Sequence, residues 1–364
     1  MKILLIGEYS NVHATLAEGL RAIGHEVTVV SDGDGWKDYP RDIDVSRKPG
    51  KWGGMLLMMK LWQLLPQMRG YDVVQLINPM FFELKAERLF FFYNYLRKHN
   101  KRVFLGAYGM DYYWVHECVE RKPLRYSDFN FGPNLRTDEA ALIEQHDWTG
   151  TSKERLNKLI ADDCAGIITG LYEYDVCYRP HFPEKTTFIP YPIRDIQTAP
   201  LTDVHSPLRI FIGISKHRSA YKGTDIMLKA AVDIVKKYPT MACLQIAEGI
   251  PFDDYQKMMD NSDIILDQLY SYTPAMNALL AMSKGIVVVG GGEPENYEII
   301  NESELRPIIN VEPTYESVYH ELEQLILHPE RVPELKQHSI DYIRKHHDHI
   351  KVAQQYEQFY LKTT

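Results

Sequence analysis

Cysteine is scarce in this 364-residue chain: Cys118, Cys164, Cys177 and Cys243 stand apart, and no two have CxxC or zinc-finger spacing. Neither a structural zinc nor a redox dithiol is indicated, and free thiols in a reducing compartment are expected. Also missing is any run near the roughly 20 apolar residues that a membrane-crossing helix needs. The opening MKILLIGEYS has too short an apolar run for a signal peptide and reads as a first strand, so a cytoplasmic location is expected. Positive charge is in deficit, with 41 Lys and Arg against 49 Asp and Glu and a net charge of −8. A nucleic-acid binder normally carries a broad basic surface, so nucleic acid is not an expected partner. The GxGxxG fingerprint is absent, since the first turn offers only Gly7, and this disfavours an ordinary NAD-dependent dehydrogenase. No solenoid repeat or low-complexity tract occurs.

What the chain does have is alternation. Ile3–Ile6 is a continuous apolar run of the kind that forms a strand buried on both faces. Ser10 or Asn11 is placed to cap the next helix, where Leu16, Leu20 and Ile23 recur at helical spacing before Gly24. Strands are expected at Glu26–Val30, Val73–Ile77, Val103–Ala107 and Gly166–Thr169, with helices between them. Residues 187–207 hold four prolines and little periodicity, which suits a linker. A second series follows, with strands at Leu208–Gly213, Ala242–Ile246, Asp263–Leu266 and Ile286–Val289. Its helices are expected at Thr224–Tyr238, Asp253–Asp260, Ala275–Lys284 and Tyr315–Leu327, then at Pro333–His346 and Ile350–Leu361. The expected class is α/β, with two Rossmann-like domains. The expected division is an N-terminal domain over residues 1–192, a linker over 193–207, a C-terminal domain over 208–346, and a last helix over 347–364.

Ligands of parallel sheets sit at the carboxyl ends of the strands. There, GISKHRSAYKGTDIMLKA (213–230) places Lys216, Arg218 and Lys222 in one loop before a helix, a plausible clamp for a diphosphate. Arg218-x-x-x-Lys222-Gly223, followed by Leu228 and Ala230, resembles the donor-phosphate loop of retaining glycosyltransferases with the GT-B fold. SDIILDQLYSYTPAMNALLAMSKGIVVVGGGEPENYE (262–298) is similar to that family's strand, turn, helix and glycine-strand block. The order of elements fits the family over essentially the whole chain. The resemblance implies two facing Rossmann-like domains, with the last helix crossing back to the first. It also implies a UDP- or GDP-sugar donor on domain two, a glycan or lipid-linked acceptor on domain one, and no metal or other cofactor. Arg218 and Lys222 would meet the diphosphate, and the amides of Thr273, Ala275 and Met276 the distal phosphate or sugar. Extension of a surface polysaccharide or glycolipid is the implied role.

The departures from the family pattern are specific. Its paired glutamates fall on Tyr272 and Leu280, and its His-Gly-x-Asp appears as Tyr108-Gly109-Met110-Asp111. Asp111 and Tyr108 are therefore the candidate reaction-centre residues. Asp267, Gln268, Tyr272, Asn277 and Glu295 are candidates for donor contacts. Glu295 follows Gly290–Gly292, where glycine permits close backbone approach. Ser10 and His13 lie in the first loop and are candidates for acceptor contact. Asp32 and Asp34 read as a solvated turn, and His346, His347 and His349 as a solvated cluster rather than a metal site. Residues 51–70 and 81–102 mix aromatics, methionines and cations, a texture suited either to a membrane interface or to buried helices. Two other functions stay open: a non-catalytic sugar-nucleotide or glycan-binding protein, and a sugar-nucleotide epimerase of the same fold.

Overall fold

The computed structural model describes residues 1–198, 204–214 and 219–363, without the side chains of Ala220 and Tyr221. The chain divides into two compact units. One comprises Met1–Pro123, Leu142–Pro192 and His349–Thr364; the other comprises Leu124–Ala141 and Ile193–Asp348. The expected N-terminal domain of residues 1–192 needs correction, because Leu124–Ala141 clusters with the second unit. The physical cause is a set of polar and aromatic contacts to that unit, described below.

The first series runs β1 (Lys2–Ile6), α1 (Val12–Ala22), β2 (Glu26–Ser31), β3 (Ile43–Asp44), α2 (Gly53–Leu64), β4 (Val73–Leu76), α3 (Ala86–His99), β5 (Val103–Ala107) and α4 (Tyr112–Glu120). A short antiparallel pair, β6 (Asn130–Phe131) and β7 (Asn134–Leu135), follows within the Leu124–Ala141 segment. Then come α5 (Glu139–Trp148), α6 (Ser152–Asp163), β8 (Gly166–Thr169), α7 (Tyr172–Tyr178) and β9 (Thr186–Phe188). The first unit's sheet is parallel throughout, in the order β3-β2-β1-β4-β5-β8-β9. Ile3, Leu4, Leu5 and Ile6 are all buried, as a strand covered on both faces requires. Thr187 and Phe188, expected in the linker, pair instead with Ile168 and Thr169 at the sheet edge.

The second unit continues with β10 (Leu208–Ile214), α8 (Ser219–Lys222), α9 (Thr224–Lys237), β11 (Ala242–Glu248), α10 (Phe252–Asp260), β12 (Ile264–Leu266), α11 (Met276–Ser283), β13 (Val287–Gly290), α12 (Pro294–Ile299), β14 (Ile309–Asn310), α13 (Tyr315–Leu327) and α14 (Val332–His346). Its parallel sheet has the order β11-β10-β12-β13-β14. Ile210, Ile212, Ile264, Leu266, Val287 and Val289 meet Met227, Ala230 and Ile234 of α9 and Val318, Leu322 and Leu325 of α13 in one core. The final helix, α15 (His349–Lys362), belongs to the first unit. It buries Val352, Ala353, Tyr356 and Tyr360, and it crosses α1 at Gly19, where a Cβ would lie 2.3 Å from the His349 carbonyl oxygen.

Each sheet has one point where its strand order reverses. It lies between β1 and β4 in the first unit and between β10 and β12 in the second. Parallel sheets present their binding crevice beyond the carboxyl ends of the strands at such a point.

Candidate functional site

In the second unit the reversal point gathers a polar cluster. Asp267 follows β12, and its Oδ1 accepts a hydrogen bond of 3.0 Å from Asn277 Nδ2 in the first turn of α11. The Tyr255 hydroxyl of α10 donates to Asn277 Oδ1 at 3.0 Å. Burial raises the Asp267 carboxyl above the ordinary carboxylate range, against the opposing pull of Asn277, the Lys222 charge and Gln268. Lys222 ends α8, and its carbonyl accepts the Leu269 amide at 3.0 Å, which ties that loop to the turn after β12. Gly223 makes this approach feasible: its φ is +71°, and a Cβ there would stand 2.7 Å from Leu269 Cβ. Lys216 and Arg218, the other two expected phosphate contacts, lie outside the described residues.

The turn from Leu269 to Ala275 lies against Gly291. At Gly291 a Cβ would be 2.2 Å from the Ser271 carbonyl oxygen, so no larger residue fits without moving the turn. The Ser271 hydroxyl donates to the Thr273 carbonyl at 2.6 Å, and the Thr273 side chain is buried. Ala275 is the residue before α11 and Met276 its first residue, so their amides open toward the helix's amino end. Asp267, Gln268, Asn277 and Lys222 are thus brought together beside that helix start. Tyr255 completes the set. Its only sequence signal was membership of the short helix after β11.

Two expected donor contacts are engaged elsewhere in the second unit. The Tyr272 side chain is buried, its hydroxyl accepts the Arg125 amide at 2.7 Å, and the Arg125 guanidinium lies over its ring at 4.9 Å. Glu295 is paired with that same guanidinium, with Arg125 Nη1 2.5 Å from Oε1, which holds the carboxyl below its usual range despite partial burial. Glu293 joins them, accepting from the Tyr126 hydroxyl at 2.5 Å and from Arg125 Nη2 at 2.7 Å. Arg136 stacks on Tyr270 and Phe131. These contacts fasten Leu124–Ala141 along the turn and α12. Tyr272 and Glu295 therefore act first as its anchors. Sequence reasoning missed Arg125, Tyr126 and Glu293.

In the first unit the loop after β1 is tightly wired. Gly7 has φ +82°, and a Cβ there would meet Ile77 Cγ2 at 2.3 Å. Ser10 and Asn11 do not cap α1 through their side chains, as had been expected. Both adopt left-handed backbone, with φ 52° and 72°, and Glu8 takes over, accepting the His13 amide at 3.2 Å and the Ala14 amide at 2.8 Å. The left-handed pair turns the chain so that Glu8, rather than the residue before the helix, faces its open amides. Ser10 donates its amide to Asp34 at 2.8 Å, and Lys37 bridges Ser10 Oγ and Asp34. Asp34 thus serves the loop instead of standing in a solvated turn.

His13, expected to touch the acceptor, is fully buried. Its Nδ1 donates to the Gly7 carbonyl at 2.8 Å, its Nε2 has no hydrogen-bond partner, and burial lowers its pKa to about 3. Tyr108 is buried edge-on to His13 and Tyr191, with its hydroxyl against that of Tyr356 in α15. Asp111 is buried at the start of α4. One oxygen accepts the Trp114 amide at 2.8 Å, the other accepts the Tyr178 hydroxyl at 2.7 Å, and burial pushes the carboxyl up to about 7. This is a helix cap with both oxygens in use, not a carboxylate open to an acceptor hydroxyl. At the C-terminal end, His346 Nε2 meets Glu302 at 2.5 Å and the His347 carbonyl accepts the Ile193 amide at 2.6 Å, so this cluster is built into the fold rather than solvated.

No family model matches the chain, and no curated protein is similar in sequence. Solved structures are similar over nearly its whole length. HepE of Anabaena, in complex with UDP and glucose, aligns with a TM-score of 0.60 at 13% identity, covering 98% of each chain. Sucrose-phosphate synthase of Thermosynechococcus elongatus aligns with a TM-score of 0.59 at 12% identity, covering 100% of this chain and 99% of that one. UDP-GlcNAc 2-epimerase of Neisseria meningitidis, bound to UDP-GlcNAc, aligns with a TM-score of 0.54 at 12% identity over all of both chains. At these identities the likeness shows the fold: a GT-B chain with two Rossmann-like units.

Proposed function

We propose that the chain is a glycosyltransferase that takes its sugar from a nucleoside diphosphate and binds that donor on the second unit. The observation that carries this reading is the grouping of Lys222, Asp267, Asn277 and Tyr255 beside the amino end of α11, at the strand-order reversal of a GT-B unit. A helix start and a lysine favour phosphate oxygens. Asp267, Gln268 and Asn277 supply acceptors and donors suited to ribose or sugar hydroxyls. Lys216 and Arg218 extend the proposed diphosphate clamp on sequence grounds. That solved structures of similar fold hold UDP, UDP-GlcNAc or UDP-glucose favours a UDP-linked donor.

In the proposed step the bond between the anomeric carbon and the diphosphate oxygen breaks, and the leaving phosphate keeps the electron pair. The acceptor hydroxyl oxygen bonds to that carbon, and its proton passes to the departing phosphate oxygen. Negative charge grows on the diphosphate as the bond breaks, so Lys222 and the α11 amides stabilise the transition state most. With proton and charge both handled in this way, the step needs no carboxylate at Tyr272 or Leu280. It proceeds with retention and without a divalent metal.

The epimerase reading draws on the Neisseria structure. One incubation separates the readings: the purified chain with UDP-sugars and an acceptor panel, products read by mass spectrometry and NMR. Transfer with the anomeric configuration kept, and undiminished in EDTA, is expected. Epimerised sugar without transfer would replace the proposal, and donor that is bound but unchanged would leave a binding protein.

A further inference from the structure

A helix on a protein surface normally turns a polar face outward; α2 does not. Gly53, Leu57 and Leu61 bury one face. On the other, Trp52, Met55, Leu56, Met59 and Trp62 recur at three- and four-residue spacing, and Trp52, Met59 and Trp62 are 69%, 54% and 51% exposed. Trp62 stacks on Phe91 of α3 with ring centroids 4.5 Å apart, and Phe91 is itself exposed, so the apolar patch continues onto α3.

Within the segment that carries α2, charge has one sign. Residues 45–70 contain Arg47, Lys48, Lys51, Lys60 and Arg69 and no carboxylate, within a chain of net charge −8. All five are exposed. Lys60 lies 3.5 Å from Asp44, whereas Arg47, Lys48, Lys51 and Arg69 make no ion pair among the described residues. Arg88 of α3 reaches over the patch, its Nη1 3.6 Å from Met58 Sδ.

We propose that this face docks on an anionic phospholipid bilayer, with α2 lying in the plane of the interface. Its twelve residues span about 18 Å at 1.5 Å each, well short of a hydrocarbon core of about 30 Å. No described helix is long and apolar enough to cross a membrane. An interfacial helix needs what α2 has: tryptophan and methionine to enter the headgroup boundary, and cations to meet lipid phosphates. A second copy of the chain fits poorly. A two-fold contact through this face would set Arg47, Lys48 and Lys51 against their own copies, with no carboxylate in the segment to answer them. The docking stands independently of the transfer reading, and its test involves no nucleotide.

The test is sedimentation of the full chain with phosphatidylcholine vesicles and with vesicles that also contain phosphatidylglycerol. The chain should pellet with the anionic vesicles only, and less at high salt. Trp52→Ser with Met59→Ser should weaken binding by about tenfold or more. Lys48→Glu with Lys51→Glu should abolish the preference for anionic lipid. Melting curves that match the wild type will show that the variants fold, since all four side chains are exposed. Failure to pellet with anionic vesicles overturns the proposal, as does binding that the Trp52/Met59 variant retains. Self-association in light scattering that this same variant abolishes would assign the face to a second copy and also overturn it.

Discussion

Two buried carboxyls, Glu8 and Asp111, make the stability of this protein depend on pH in a direction that can be worked out. Burial pushes Glu8 up to about 8 and Asp111 up to about 7, whereas unfolded carboxyls titrate near 4. Between about pH 4 and 8 the folded chain therefore holds protons that the unfolded chain has lost, and these groups make stability fall as pH rises through that window. His13 works in the opposite sense. Burial lowers it to about 3, so from there to about 6.5 the unfolded chain holds the extra proton and stability rises with pH. Glu8→Gln removes one falling contribution. The unfolding free energy of wild type relative to this variant should decline from pH 5 to 8, by at most about 1.4 kcal/mol per unit. Urea melts across that range check it, and a constant difference would remove the buried carboxyl from the account. Asp111→Ala should cost about 1–2 kcal/mol through the lost helix cap, Asp111→Asn less, and neither should alter UDP affinity in calorimetry. That a carboxyl residue lies in the turn after β5 was legible in the sequence. Its role was not, because the second partner, Tyr178, lies 67 residues away.

Among the elements, the Leu124–Ala141 segment departs most from what the sequence suggests. Its hold on the second unit centres on the buried bond from the Tyr126 hydroxyl to Glu293, reinforced by Arg125 on Glu293 and Glu295. A double-mutant cycle with Tyr126→Phe and Glu293→Gln should give a coupling of about 1–3 kcal/mol in denaturant unfolding. Additive changes would show that the segment is held by other contacts. Such a segment leaves little trace in sequence: it has no apolar periodicity, and its partners are nearly 170 residues away. By contrast, β1 and β5 were legible as the near-continuous apolar runs of central parallel strands, and β4 and β10 remained so despite Gln75 and Arg209. The edge strands β3 and β14 have two residues each, too few to show a pattern.

For the whole molecule, two α/β series were legible in the succession of elements, and the resemblance of residues 213–230 and 262–298 to retaining GT-B glycosyltransferases added the expectation of a GT-B chain. Solved structures sharing only 12–13% of its residues bear that fold out. The place of the proposed donor site was legible to the extent that the carboxyl ends of strands are where such sheets bind ligands. The anchoring of Tyr272 and Glu295 by Arg125 was not. If Lys222 and the α11 amides carry the diphosphate, catalysis should survive EDTA, and added Mg²⁺ should change turnover little; activity lost to EDTA and restored by metal would contradict this. The most direct test of the central claim is isothermal titration calorimetry of UDP against the wild type and Lys222→Ala. A charge-assisted contact to phosphate is worth roughly 1.5–3 kcal/mol, so the account predicts binding by the wild type and a loss of about 10- to 100-fold in the variant. No binding by the wild type to UDP or GDP, or an unchanged affinity in a folded Lys222→Ala protein, would contradict it.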